Sequence, residues 1–541
     1  MAARSGNGGQ SRRSALWRRR GGDAPRLAAL LVLATAALTV PLTAIADNHD
    51  RDAYVESSLL ANARRNPSAL FRVIVQGDDG ADTASVAGEV TSRLDDNGTS
   101  GDRLTGRFAS ITGVAATLTG KQVLELAGDG SIEAITRDVR MAPAATTEEQ
   151  PTLSPATWLE ETGIVATIPA TLFSRSAPPA IAIVDSGVEP RALYERRLVA
   201  QVNLTQLSPN SAGDGRGHGT FVAGLAASAA PSARLISLDV MDDAGKAMTS
   251  DVIAAADWIL ANKERYRIRV ANFSLHAARP SSFRTDPLNR AVERLWNGGV
   301  VVVASAGNYR TGAGPSGVPL SPANDPFVIT VGAADLGLRP GGADDFNAPW
   351  SAYGRTSDGF LKPELGAPGR KLLGLAPAAS TMALEHPERV VGGLMRMSGT
   401  SFAAPIVAGA AAQLSIAHPD WTPDDVKGAL MVTARPAQLA DRYSLGAGLI
   451  DARAAIRVTR PPNPNRALLR FLIDDPAGGP VPVFDAASWD SASRSDASWD
   501  SASWADASWA DASRADVSWA DASWADASWA DASWTDASWA D

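Results

Sequence analysis

The amino-acid sequence predicts an α/β protein with a doubly wound parallel sheet, preceded by a small α+β module. Short β-branched runs alternate with helical segments, such as residues 250–263 and 288–296. The runs are apolar throughout, which is typical of strands that helices cover on both faces. In such sheets the functional residues lie at the carboxyl ends of the strands. The runs span residues 181–184, 235–240, 270–275, 300–306 and 328–331.

The α+β module is predicted over residues 70–141. Val86, Val90 and Leu94 recur every fourth residue, as on one helix face. Thr119 and Gln122 form a capping-box signature at the start of a second helix. Strands are predicted at residues 71–75, at 132–139, and as a pair within 108–118. The order β-α-β-β-α-β is that of a ferredoxin-like fold.

Composition excludes several chemistries. The 541 residues contain no cysteine, which removes disulfides, zinc–thiolate sites, iron–sulfur clusters and thiol nucleophiles. Any nucleophile is therefore oxygen or nitrogen. The formal net charge of −9 resides entirely in residues 486–541, so the remaining chain is neutral. A neutral body with an acidic tail gives no reason to expect nucleic acid as a partner.

Both ends of the chain differ from the globular middle. Residues 1–46 combine arginines with an apolar run and predict an export signal cleaved after Ala46, so that the protein is secreted, periplasmic or on the cell surface. The alternative is a retained membrane anchor through residues 27–46. We expect a leader at 47–69, and a linker with a processing site at 142–157.

The C-terminal part is predicted as a linker over 459–485 and a five-residue repeat over 486–541. Each repeat carries Ser followed by Trp or Arg. A period of five gives neither a helix nor a strand one constant Trp face, so we expect a flexible, disordered segment that binds an envelope surface, a glycan or a protein. A solenoid of repeats is the alternative.

Three polar residues suit nucleophilic catalysis. Asp185 ends an apolar strand, and His218 lies between glycines at the start of a small-residue helix. Ser401 opens an apolar helix, where backbone N–H groups and the positive dipole end suit a developing oxyanion. The chain order Asp, His, Ser differs from the Ser, acid, His order of α/β-hydrolases.

These residues and their neighbours resemble the subtilases, the subtilisin-like serine peptidases. The resemblance covers residues 181–457, about half of the chain. It implies a subtilisin-like catalytic domain, which we place at 158–458. The motifs that carry it are Asp185-Ser186-Gly187, Gly217-His218-Gly219-Thr220, Ala304-Ser305-Ala306-Gly307-Asn308 and Gly399-Thr400-Ser401-Phe402-Ala403-Ala404-Pro405.

The resemblance implies a role for each matching residue. Ser401 attacks the scissile carbonyl, His218 takes the proton of the serine, and Asp185 orients the imidazole. Asn308 donates its side-chain amide to the oxyanion together with the backbone N–H of Ser401. Catalysis then needs no cofactor. Structural calcium is common in the family, but no calcium ligands can be matched in this sequence.

The resemblance also implies substrate binding by a strand at Ser274, Leu275 and His276, and by Gly307. Where the family commonly has Gly-Gly, this sequence has His276-Ala277. The imidazole is expected either to narrow or polarise the pocket for the residue before the scissile bond, or only to cover the strand edge. Residues 108–119 resemble a subtilase propeptide, which implies an intramolecular inhibitor and autoprocessing within 141–157.

The sequence thus predicts an exported serine endopeptidase that cleaves extended protein segments. The rival from another class is a catalytically silent subtilase-fold binding or scaffold protein, displayed through the repeat tail. Labelling of the serine by a fluorophosphonate separates these two. An amidase or esterase acting on small molecules is a third hypothesis.

Overall fold

The structure, a computed structural model, describes residues 53–78, 80–94, 101–143, 155–164, 178–312, 314–337 and 344–489. The predicted signal at 1–46 and the repeats beyond Trp489 lie outside these residues. So does most of the linker in which processing is expected.

The N-terminal module covers residues 53–143 and contains a five-stranded sheet with three helices. The sheet has the order β1-β5-β2-β4-β3, in which β1 is parallel to β5 and the other pairs are antiparallel. Its elements are β1 (Tyr54–Val55), α1 (Ser57–Arg65), β2 (Leu70–Gly77), α2 (Thr83–Ser92), β3 (Arg103–Phe108), β4 (Gly113–Thr119), α3 (Gly120–Ala127) and β5 (Ile132–Arg137). The β-α-β-β-α-β order runs from β2 to β5, and Thr119 and Gln122 form the reciprocal capping box.

The segment 47–69, expected to be a leader, contributes to the module where it is described. β1 adds an edge strand beside β5, and α1 packs against α3. Leu59 and Ala63 of α1 are fully buried in the module core. These apolar side chains lie one turn apart on one helix face, and their burial on the module stabilises the packing of α1.

The large domain is built on a mostly parallel sheet with the strand order β8-β9-β7-β11-β13-β14. β18 adds to β14 in parallel, and β15 pairs with β14 antiparallel. The sheet strands are β7 (Ala180–Asp185), β8 (Leu198–Asn203), β9 (Arg234–Asp239), β11 (Ile268–Phe273), β13 (Val301–Ser305), β14 (Ile329–Asp335), β15 (Phe346–Asn347) and β18 (Leu365–Pro368). Because the chain runs from β7 to β8 and β9 on one side and returns with β11 on the other, the switch point of the sheet lies between β7 and β11.

The remaining elements cover the sheet or border its carboxyl edge. The helices are α4 (Pro155–Glu161), α5 (His218–Ala229), α6 (Thr249–Tyr266), α7 (Pro287–Asn297), α8 (Thr381–Glu385), α9 (Thr400–Ala417), α10 (Pro423–Val432) and α11 (Ala452–Ala455). The short strands are β6 (Arg140–Pro143), β10 (Ala247–Met248), β12 (Leu275–Ala277), β16 (Gly354–Arg355), β17 (Leu361–Lys362), β19 (Leu372–Leu375), β20 (Val390–Val391), β21 (Leu394–Met397), β22 (Leu472–Ile473) and β23 (Val483–Phe484). α5 packs on α9, and α6 packs on α7.

α9 is the central helix of the large domain. Within the described part of the chain, it is the one helix long and apolar enough to cross a membrane. It is also 94% buried, and it contacts β11, β13 and β14. Its apolar surface is therefore explained by its place in the protein core.

Residues 459–485, expected to be a linker, fold against the large domain. The short β22–β23 hairpin packs on α7, and Arg294 of α7 forms an ion pair with Asp475. Trp489, in the first repeat, is buried and stacks on Phe360 with ring centroids 5.7 Å apart. The burial of aromatic surface explains why this segment is attached and why the attachment continues into the repeat.

Candidate active site

Asp185 and His218 meet at the switch point of the sheet. Asp185 is the last residue of β7, and His218 is the first residue of α5. The Asp185 Oδ1 atom lies 2.7 Å from His218 Nδ1, and both side chains are fully buried. A carboxylate at Nδ1 favours the tautomer in which Nδ1 carries the proton and Nε2 is the basic atom.

Glycine at 219 allows this close approach. A Cβ atom at that position would lie 2.0 Å from the carbonyl oxygen of Gly187 and 3.2 Å from Cβ of Asp185. No side chain fits in that space, so α5 can begin directly against the end of β7 only with glycine here.

A second acid, Asp214, orders the loop that leads to His218. Its carboxylate accepts hydrogen bonds from the backbone N–H groups of Gly217 and Thr220 and from the Ser186 hydroxyl, at 2.6–2.8 Å. Burial raises the pKa of Asp214 to about 7, although these donors favour its charged form. The sequence analysis did not identify Asp214. The pattern that could have indicated it is a single acid between glycines just before the histidine motif.

Ser401 is tied to the segment that follows β11. Its Oγ donates to the Ser274 carbonyl at 2.9 Å, and the Ser274 hydroxyl donates back to the Ser401 carbonyl at 2.8 Å. Asn272 orients the Ser274 hydroxyl through a 2.8 Å hydrogen bond. The His218 ring lies against Phe402, the residue after Ser401, with ring centroids 5.2 Å apart. His218 Nε2 is buried and has no hydrogen-bond partner within the described residues.

Asn308 is held in one orientation by Thr400, the residue before Ser401. The Asn308 Oδ1 atom accepts hydrogen bonds from both the backbone N–H and the hydroxyl of Thr400, each at 3.0 Å. The amide nitrogen must therefore point away from Thr400. The N-terminus of α9, where Ser401 offers its own backbone N–H, lies beside this amide.

The strand β12 carries the predicted substrate-binding residues Leu275 and His276, and it is already paired. β6, the last strand of the N-terminal module, lies between β10 and β12 in an antiparallel three-stranded sheet. Leu275 is opposite Pro143, and His276 is opposite Ala142. An extended segment of this chain thus lies along the strand that leads back to Ser274 and Ser401.

Gly307 follows β13, and His276 lies in β12. Gly307 adopts φ +105°, a left-handed conformation that favours glycine, and its N–H donates to the Thr400 hydroxyl at 3.0 Å. The His276 ring meets the Tyr309 ring edge to face, with centroids 5.9 Å apart. Burial lowers the pKa of His276 and keeps the imidazole neutral.

Across the described ranges between residues 53 and 489, no group of three or more His, Cys, Asp or Glu side chains is placed to bind a metal ion.

A doubly wound sheet with an Asp–His pair and a helix-opening serine at its switch point defines a hydrolase of the serine-nucleophile class. The profile of the Subtilase family matches residues 177–448, half of the chain, and the protein belongs to that family.

Individual relatives agree with this assignment. Serine protease AprX of Bacillus subtilis (strain 168) is 34% identical over 294 residues, which are 51% of this chain and 65% of AprX. Subtilisin Savinase of Lederbergia lenta is 32% identical over 253 residues, which are 45% of this chain and 79% of Savinase. The match thus leaves about a third of AprX uncovered. Fervidolysin from Fervidobacterium pennivorans, a keratinolytic enzyme related to subtilisin, shares the fold with a TM-score of 0.54 and 21% identity, covering 73% of this chain and 62% of fervidolysin.

Proposed function

We propose that this protein is an exported serine endopeptidase that hydrolyses peptide bonds in extended protein segments. The observation that carries the proposal is β6, an extended strand held between β10 and β12 and directed toward Ser401. A peptidase needs its substrate in this extended form, because the main chain must lie in a narrow cleft beside the nucleophile.

The proposed reaction has two steps. The Ser401 hydroxyl turns from the Ser274 carbonyl, and its oxygen bonds to the scissile carbonyl carbon while its proton passes to His218 Nε2. The amide of Asn308 and the N–H of Ser401 stabilise the oxyanion. His218 then protonates the departing amine, and an acyl-enzyme remains. Water releases the acyl group by the reverse proton path, while Asp185 stabilises the charged imidazole throughout.

The same geometry supports an autoprocessed proenzyme. We propose that residues 53–143 act as a propeptide whose β6 blocks the cleft until the chain is cut nearby. Support comes from the shared sheet and from hydrogen bonds such as Ala278 N to Arg140 O at 3.0 Å and Thr249 N to Val139 O at 3.0 Å. Export rests on the sequence of residues 1–46. We propose that the repeat tail binds an envelope surface, a glycan or a protein.

The test is covalent labelling with a fluorophosphonate probe, followed by mapping of the labelled peptide. We expect wild type, once processed, to carry the probe on Ser401 and to digest casein. Ser401→Ala should do neither. Ser415→Ala is the matched control, because Ser415 lies on the same helix and donates to Ala411 O. A folded, processed protein that takes no probe would contradict the proposal and favour the silent binding protein. Labelling with hydrolysis of small esters but no casein digestion would favour the esterase hypothesis.

A further inference from the structure

Two segments that leave neighbouring strands lie beside Ser401. Phe273, at the end of β11, is the register partner of Ala304 in β13. The residues that follow are 274–276 on one side and 305–309 on the other, and β12 in the first segment contacts β13. Ser401 donates to Ser274 O in the first segment, and the N–H of Thr400 donates to Asn308 in the second. In the proposed reaction the scissile carbonyl lies at Ser401 with its oxyanion at Asn308, so the side chain of the preceding residue is assigned to the gap between these two segments.

Two aromatic rings bridge this gap. His276 projects from the first segment and Tyr309 from the second, and they meet at 5.9 Å with an interplanar angle of 79°. Each ring is also fixed by its polar end: His276 Nδ1 lies 2.9 Å from Ala277 O, and the Tyr309 hydroxyl donates to Ala306 O at 3.3 Å. The pair is therefore held from both sides rather than free to swing away.

The Tyr309 ring lies directly against Gly307. A Cβ atom at Gly307 would lie only 2.2 Å from the Tyr309 ring, so the ring rests on the backbone of the glycine. Burial lowers the pKa of His276 and raises the pKa of Tyr309, so both rings are uncharged. They offer a neutral wall and no counter-charge to a charged substrate residue.

We propose that the His276–Tyr309 pair closes the pocket for the residue that precedes the scissile bond, and that the enzyme accepts only small residues such as alanine there. This inference rests on the proposed peptidase function. It assigns His276 and Tyr309 as specificity-determining residues, and it makes their bulk, rather than their hydrogen bonding, the cause.

The chain's own sequence agrees with this specificity. Autoprocessing is expected within residues 141–157, and the residues directly after β6 in that segment are Ala144 and Ala145. The inference predicts that the chain is cut after a small residue such as one of these.

The test compares two peptides that share the β6 sequence, Met-Ala-Pro-Ala and Met-Ala-Pro-Phe p-nitroanilides. We expect wild type to favour the alanine peptide by about tenfold or more in kcat/KM, which is the scale of size discrimination in an apolar pocket. His276→Gly and Tyr309→Ala should each raise the Phe-to-Ala ratio by about tenfold. His276→Phe keeps the bulk and should keep the preference for alanine, and Tyr309→Phe should do the same.

The ratio is measured on one enzyme preparation, so partial misfolding of a variant does not change it. A wild type that prefers the phenylalanine peptide, or a ratio that neither enlarging variant moves, would overturn the inference while leaving the peptidase function intact. A mature N-terminus that is preceded in the sequence by a large residue would also overturn the inference. If wild type cleaves neither peptide nor itself, the proposed function fails and the inference fails with it.

Discussion

The two sheets of this protein bury their faces in different ways. Every residue of β7 in the large domain is buried, because helices of the same domain cover both sides of the sheet. In β2 of the module, Val73 and Val75 belong to the module's own core, whereas Ile74 belongs to the core of the large domain. β4 repeats this alternation, with Val114 and Ala116 inward and Ala115 outward. Because successive side chains of a strand point to opposite faces, one face of each strand packs inside the module and the other packs on the large domain.

Polar contacts confirm that the module is fitted to the large domain. α6 has no side-chain cap of its own, and Asp138 of the module accepts hydrogen bonds from Ser250 N at 3.0 Å and Ser250 Oγ at 2.9 Å at its N-terminus. Asp257 of α6 in turn accepts the backbone N–H of Ala109 at 2.9 Å and of Ser110 at 2.5 Å. One face of the module sheet is buried within the module, whereas its other face is buried only against the large domain. We therefore expect the module to be the less stable part after cleavage.

The largest expected effect is a loss of catalysis in the large domain. Asp185→Asn should lower kcat by about 10⁴-fold, because the amide favours the wrong imidazole tautomer. The measurement is peptide hydrolysis by processed enzyme. Unfolding temperature should change little, since the shapes of the two side chains match. A loss below tenfold would contradict the role of Asp185.

Asn308→Ala should have the next largest effect. It removes one oxyanion donor and should lower kcat by about 10²–10³-fold with little change in KM. Steady-state kinetics separate the two constants. A rise in KM with unchanged kcat would place Asn308 in substrate binding instead.

Adjacent residues in β2 give a direct test of the divided strand. In the full chain carrying Ser401→Ala, Val75→Ala and Ile74→Ala should each lower the free energy of unfolding of the core that they line by about 2 kcal/mol or more, because each leaves a cavity there. Hydrogen exchange should then accelerate throughout the module strands for Val75→Ala. For Ile74→Ala it should accelerate in the part of the large-domain core on which β2 packs. Identical exchange patterns for the two variants would contradict the division.

Asp138→Ala should lower stability by about 1 kcal/mol, because it removes the helix cap that the module supplies to α6. The expected site of the loss is the first turn of α6, measured as faster amide exchange there. Asp138→Asn keeps an accepting oxygen and should restore most of the protection. Equal exchange in wild type and Asp138→Ala would show that the cap contributes nothing.

The smallest effect is a change in pH dependence within the large domain. Glu293 and Asp325 are buried together; burial raises both pKa values, that of Asp325 to about 7. Between about pH 4 and 7 the folded state keeps a proton that the unfolded state has lost, so the free energy of unfolding falls as pH rises through that window. In the Ser401→Ala background, Glu293→Gln should flatten this slope in thermal unfolding between pH 5 and 8. An unchanged slope would contradict a raised pKa for the buried pair of Glu293 and Asp325.

Much of the fold and site could be predicted from the sequence because it depends on local patterns. Apolar runs marked the central strands, and the motifs around Asp185, His218 and Ser401 marked the sheet edge. The structure adds contacts between distant segments. Nothing local to Ser274 shows that its hydroxyl bonds the Ser401 carbonyl, and nothing local to Ile74 shows that it packs on another domain. In the sequence Trp489 belongs to one repeat among many, and only the structure shows the aromatic side chains that pack around it.

The most direct test of the central claim is the intact mass of the chain from Asp47 onward, expressed as wild type and as Ser401→Ala. Wild type should lose the module through a cut within residues 141–157, whereas Ser401→Ala should stay whole and folded. Ser415→Ala should process like wild type. If wild type and Ser401→Ala both stay whole although each is folded, or if both are cut at the same bond, Ser401 is not the nucleophile of a self-processing peptidase.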